Sequence, residues 1–187
     1  MASQRTVTLR PSDPEAGEVV AAAGLTPRFD AIRAELEVPG EFPAEVVAEA
    51  ERVAAQPLSR PERDESDLPF VTIDPADARD HDDAVAAMPD DDPRNPDGMV
   101  IWVAIADVAA YVRPGTALDR EARHRGNSTY FPDRVVPMLP DILSGDLLSL
   151  HEGVDRPVIA VRMRLDARGN KISHDFHRGM MHSAASL

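Results

Sequence analysis

The sequence predicts an α/β (α+β) fold, a mixed β-sheet with flanking helices, entered through a short helical leader. Three observations predict it. Residues 99–106, Met-Val-Ile-Trp-Val-Ala-Ile-Ala, form a near-continuous apolar run of strand length, which suits a central strand covered on both faces. Residues 158–165 alternate Ile159, Val161, Met163 and Leu165 with Arg162 and Arg164, the period of a half-buried strand, and a Gly169-Asn170 turn leads to a partner strand over 171–176. Residues 26–36 and 43–56 carry their apolar side chains at helical spacing instead.

A chain of 187 residues can bury one good core, and 43% hydrophobic content is ordinary for a globular domain. The polar, proline-broken stretch 57–68 reads as a connector, so the expected division is a linker and helical leader over 1–65 and a main domain over 66–187. With no cysteine, disulfides and thiolate zinc sites are excluded. No apolar run is long enough for a signal peptide or a bilayer span, so a cytoplasmic chain without a membrane partner is expected. The net charge of -13 divides into -6 over residues 1–65, -8 over 66–100 and +1 over 101–187. Such acidity disfavours holding a long polyanion by electrostatics alone.

Residues 1–25, rich in Pro, Ala, Gly and Glu, show no period and read as a linker. Thr26 opens the first helix, with Pro27 at its first position and Phe29, Ile32 and Leu36 on one face, and Pro39-Gly40 stops it. The second helix has the stripe Val46, Val47, Ala50, Val53, Ala54, with Glu41 and Glu45 at its positive end and Pro57 beyond it. Residues 70–73 are a β-favouring run, 84–88 a further strand and 89–98 an acidic, proline-containing hairpin loop. Thr116-Ala-Leu-Asp119 has capping-box spacing and opens a basic helix that Gly126 terminates. Its Arg120, Arg123, His124 and Arg125 form either a solvated face or a phosphate-contacting one. Residues 127–131 read as a short strand, 135–140 as a proline-rich extended segment and 141–150 as a helical turn.

Chemistry concentrates where the strand over 70–73 ends. Asp74, Asp77, Asp80, Asp82 and Asp83 fall within ten positions, with His81 among them. An acidic run is commonly a solvated loop. Packed together at a strand end, however, several carboxylates raise one another's pKa and must take up protons or bind cations, and hard oxygen donors at this density suit Mg²⁺ or Mn²⁺. An EF-hand is excluded, because a loop counted from Asp80 has Ala84 at its fifth position and no following Gly. Asp107 ends the apolar strand, and a pairing of the two strands would place it beside the cluster.

The ordered motifs Thr72-Ile-Asp74-x5-Asp80-x-Asp82-Asp83, Trp102-Val-Ala-Ile-Ala-Asp107, Gly126-Asn-Ser-Thr-Tyr130, Val136-Pro-Met-Leu-Pro140 and Leu147-Leu-Ser-Leu150 closely resemble the catalytic domain of the ribonuclease II / ribonuclease R (RNB domain) exoribonucleases. The resemblance covers residues 66–187 and implies the N-terminal part of that domain, without the later arginine- and glutamate-containing motifs, the S1 domain or the upstream cold-shock domains. It implies processive 3′-to-5′ hydrolysis of single-stranded RNA from its 3′ end to nucleoside 5′-monophosphates, with Mg²⁺ (or Mn²⁺) as cofactor. Asp74, Asp80, Asp82 and Asp83 then match the family's metal-binding centre, Asp82 and Asp80 its catalytic carboxylates, and Tyr130 the aromatic that stacks on a base near the RNA 3′ end. His81 stands where the family pattern leads one to expect Phe or Met, and packing is the expected role. A remnant that binds metal or RNA without catalysis is the alternative.

Overall fold

The computed structural model describes residues 24, 26–58, 61, 63–75, 78 and 80–187; nearly all of the linker over 1–25, and Asp77 of the cluster, lie outside them. Among the described residues three α-helices, α1 (Thr26–Glu35), α2 (Ala44–Ala54) and α3 (Ala117–Arg125), accompany the strands β1 (Arg63–Asp64), β2 (Phe70–Thr72), β3 (Asp83–Pro89), β4 (Met99–Ala106), β7 (Asp155–Leu165) and β8 (Lys171–Ser186). A small hairpin, β5 (Thr129–Tyr130) with β6 (Val135–Val136), stands apart from this sheet. The sheet order is β1-β8-β2-β3-β4-β7, and β8 also pairs with β7, so the ladder closes on itself. Parallel pairs (β8 with β1 and β2) occur beside antiparallel ones, giving the mixed sheet that the sequence predicts.

Register explains the core. Ala84, Ala104 and Ala160 are cross-strand partners in one row and Ala86 and Trp102 in the next, and all five are buried. Val46 and Ala50 of α2, Leu118 and Ala122 of α3, and Leu143, Leu148 and Leu150 complete one cluster with them. The leader helix α2 thus shares its core with the strands. The opposite face of β4 is only partly covered: Ile101 and Val103 are half-buried, but Ile105 is 48% exposed and its neighbour Ile159 42%. This corrects the expectation of a strand buried on both faces, because an unbroken apolar run marks a strand without counting how many of its faces are packed.

Two further elements depart from expectation. Helix α1 has Ile32 40% and Leu36 66% exposed, whereas Arg33 is buried, its guanidinium bound by Asp133 at 2.8 and 3.0 Å. The helix docks through an ion pair that apolar periodicity does not register. Strand β8 runs ten residues past the expected end at Phe176, through Gly-Met-Met-His-Ser-Ala-Ala-Ser, and its last residues pair with β2. That segment has no alternation to read, and the ladder, with Met181 buried in the core, holds it in place.

The ends of α3 follow the capping rules. Thr116 Oγ1 accepts from the Asp119 N–H, Asp119 Oδ2 from the Gly115 N–H, and Gly126 takes φ 78°. Glu49 of α2 adds its carboxylate to the same end, accepting from the Leu118 N–H at 2.9 Å. Among the described residues, no helix is long and apolar enough to cross a membrane.

Candidate active site

Four separate contacts deliver the aspartates. Beyond β2 the ladder with the end of β8 continues: the Leu187 N–H donates to Thr72 O at 2.9 Å and the Asp74 N–H to Leu187 O at 3.3 Å. Below them, Thr72 Oγ1 donates to Ser186 Oγ at 3.0 Å in a fully buried position. Asp82 is held from the other side, because its carbonyl accepts from the Ala106 N–H at 3.0 Å and extends the β3–β4 ladder by one step. Asp83 begins β3 opposite Ile105. Asp80 accepts a hydrogen bond from Tyr130 Oη at 3.2 Å, which ties the β5–β6 hairpin to the cluster.

His81, between Asp80 and Asp82, is clamped through its backbone. Its N–H donates to Ser149 Oγ at 2.9 Å, and its C=O accepts from the Leu150 N–H at 2.9 Å. Its ring is 12% exposed and lies 5.6 Å from the His151 ring, with Nδ1 3.9 Å from Asp74 Oδ2. Thr72 Oγ1 lies 3.4 Å from the same Nδ1.

Electrostatics mark Asp82. Burial first, then the negative charges of Asp80, Asp83 and Asp74, push its carboxyl above the ordinary aspartate value. The charges of Asp80, Asp83 and Asp74 thus all reach the Asp82 carboxyl. Burial, and then the charges of Asp80 and Asp82, also hold the Tyr130 phenol above its usual value, so it stays protonated and remains a donor. Asp74 Oδ2 is buried without any hydrogen-bond partner, a state that normally costs about 1–3 kcal/mol or more for a charged group. Such an orphaned anionic oxygen fits a hard cation, and so does an all-carboxylate donor set. Among the described residues, no three acidic or histidine side chains already converge on one point.

Asp107 does not join the cluster. Its strand does pair with β3, but the carboxylate turns to Arg178, with Oδ2 3.0 Å from Nε. A pattern of strand ends cannot tell which side of the sheet a terminal side chain takes. Ser149 was the residue without a sequence signal: it lies inside the Leu147-Leu-Ser-Leu150 motif, yet nothing in that lettering shows that it grips the aspartate loop.

Residues 62–187 match the family model described as the RNB domain. Over 149 residues the chain is 48% identical to the ribonuclease R of Acidithiobacillus ferrooxidans, covering 78% of this chain and 33% of that protein. It is 50% identical over 121 residues to the ribonuclease R of Escherichia coli, covering 65% of this chain and 14% of that one. The fold superimposes with a TM-score of 0.76 and 31% identity on Mycoplasma genitalium RNase R in complex with ribose methylated single-stranded RNA, over 86% of this chain and 25% of that chain. The chain thus spans a third or less of the length of these proteins.

Proposed function

The chain belongs to the RNB-domain family, and from that premise we propose that it carries the acidic centre of an exoribonuclease that removes nucleotides from the 3′ end of single-stranded RNA. The observation that carries this reading is the mutual repulsion at Asp82. Burial first, and then the charges of Asp80, Asp83 and Asp74, hold its carboxyl up, and a divalent cation held there would offset both. Asp74, with its orphaned Oδ2, and Asp80, Asp82 and Asp83 are the residues that would hold Mg²⁺ or Mn²⁺. When bound, such an ion supplies charge stabilisation at the scissile phosphate and acidifies a water molecule.

The chain's own residues do the rest. Asp82, its backbone fixed by the Ala106 N–H, accepts the proton of the attacking water. The new bond joins that oxygen to phosphorus while the bond to the upstream 3′ oxygen breaks and that oxygen takes up a proton from solvent, so a nucleoside 5′-monophosphate leaves and the shortened RNA ends in a 3′ hydroxyl. Asp80 is tied to Tyr130, whose ring is 57% exposed and free to stack on a base. Stacking on an aromatic tolerates any sequence, and that suits stepwise, processive removal. A cytoplasmic location is part of the same proposal.

The test is a 5′-labelled single-stranded RNA incubated with the chain and Mg²⁺ or Mn²⁺. A descending ladder with free 5′-mononucleotides, abolished in Asp82→Asn, is expected. Intact Mn²⁺ binding with no nucleotide released would make the chain a non-catalytic remnant.

A further inference from the structure

The residue between Asp80 and Asp82 has both backbone polar groups engaged by one short segment of chain. Ser149, with no solvent exposure, accepts the His81 N–H through Oγ, and the adjacent Leu150 N–H donates to the His81 carbonyl, both at 2.9 Å. The segment is itself anchored. Arg156 of β7, its side chain 11% exposed, donates through Nε to Ser149 O at 2.9 Å and through Nη2 to Asp146 O at 3.1 Å. A rigid strand therefore holds the 146–150 turn, and the turn holds the peptide units on either side of His81.

We propose that Ser149 is a positioning residue for the acidic centre: its hydroxyl fixes the backbone from which Asp80 and Asp82 project, and so sets how well their carboxylates share a cation. The proposal rests on the exoribonuclease reading for its purpose but not for its geometry. Carboxylates that repel one another spread when their backbone is free, and the described residues of this stretch, 74, 75, 78 and 80–82, belong to no helix or strand that would resist this. The other members of the cluster are held by ladders: Asp74 by β2 and β8, Asp82 and Asp83 by β3 and β4. On the Asp80 side of His81 the Ser149 hydrogen bond is the corresponding support. Losing the acceptor leaves a part-buried N–H unpaired, which favours a shifted loop.

Two variants of the whole chain separate a lost acceptor from a lost volume. Ser149→Ala removes both, while Ser149→Cys fills the space with an atom that accepts poorly. Three quantities are read without RNA: hydrogen exchange at the His81 amide, Mn²⁺ affinity by electron paramagnetic resonance, and the melting temperature. In both variants His81 exchange is expected to accelerate about tenfold or more and Mn²⁺ affinity to fall about tenfold, while amides of the central strand such as Val103 keep their parent rates. Nucleotide release by either variant is expected to recover at saturating Mn²⁺, unlike that of Asp82→Asn. Parent-like Mn²⁺ affinity in both variants overturns the proposal, and so does an equal acceleration at Val103, which would make Ser149 a general stability residue. A parent chain that binds no Mn²⁺ overturns it as well, and counts against the cation reading of the cluster. A parent that binds Mn²⁺ but releases no nucleotide defeats only the catalytic reading, since the exchange and affinity arms still decide Ser149.

Discussion

The phenol of Tyr130 donates to Asp80 Oδ2 at 3.2 Å, so the aromatic proposed to stack on RNA also touches the acidic centre. Its two functions separate by substitution. Tyr130→Phe keeps the ring and is expected to hold RNA as the parent does, whereas Tyr130→Ala is expected to lose about 1–3 kcal/mol of binding, roughly tenfold or more in Kd. Fluorescence anisotropy with a short single-stranded RNA in the Asp82→Asn background measures this without turnover. Equal affinity in the Phe and Ala variants would remove Tyr130 from the binding surface.

Asp82→Asn is expected to raise stability while it removes activity. The carboxyl is pushed up by burial and then by Asp80, Asp83 and Asp74, so its folded-state value lies above its unfolded one. A group raised in this way stabilises the fold when protonated, below the ordinary carboxylate range, and that contribution is lost as pH rises through the folded value. At neutral pH the ionised side chain opposes folding. Because about half of it remains open to solvent, the repulsion is screened to about 0.5 kcal/mol, or about 1–2 °C in melting temperature for a chain of this size. The gain over the parent is expected at pH 7 without divalent ions and is expected to vanish near pH 3.

Much of this architecture could be read from the amino acids, and the misses share a cause. Strand β4 and the capping of α3 are local: an apolar run and a Thr-x-x-Asp spacing suffice. The motif also places Asp74, Asp80, Asp82 and Asp83 in the right order. What escaped depends on contacts across long stretches of chain, such as Arg33 with Asp133, Ser149 with the His81 N–H, and the last residues of β8 beside β2. Polar partners of this kind leave no period, and neither does a strand tail of Gly, Met, Ser and Ala. Asp107 illustrates the limit from the other side, since its place at a strand end was legible but its turn toward Arg178 was not.

Arg33 and Asp133 form a buried bidentate pair, with side chains 10% and 4% exposed. Burial opposes ionisation of Asp133, but the Arg33 guanidinium outweighs it and holds the carboxyl below the ordinary range. The stability from this pair is therefore present above the ordinary carboxylate value and is lost as pH falls through the lower folded one. Arg33→Ala removes the main partner of a buried carboxylate, leaving it Arg134 Nε at 3.3 Å, and is expected to cost about 3 kcal/mol, whereas removing both partners is expected to cost less than the two single changes together. Urea melts of the four-member cycle measure the coupling. Since Asp133 follows Tyr130 in the β5–β6 turn, Arg33→Ala is also expected to weaken RNA binding.

Arg125 decides whether the basic helix serves the fold or a phosphate. Its guanidinium lies 3.7 Å above the Phe42 ring and donates to Glu121 at 2.8 Å, Gly40 O at 2.9 Å and Pro137 O at 3.2 Å. Every one of these partners belongs to the chain, and the side chain is only 2% exposed. Arg125→Ala is expected to cost about 3 kcal/mol through lost packing and unpaired carbonyls, and Arg125→Lys about 1–2 kcal/mol, because an ammonium cannot reproduce the planar fork. A structural arginine makes a second demand. Measured below the melting temperature on folded protein, the salt dependence of RNA affinity for Arg125→Lys is expected to match that of the parent. A slope reduced by about one, the signature of a lost phosphate contact, would return this residue to the RNA-binding face.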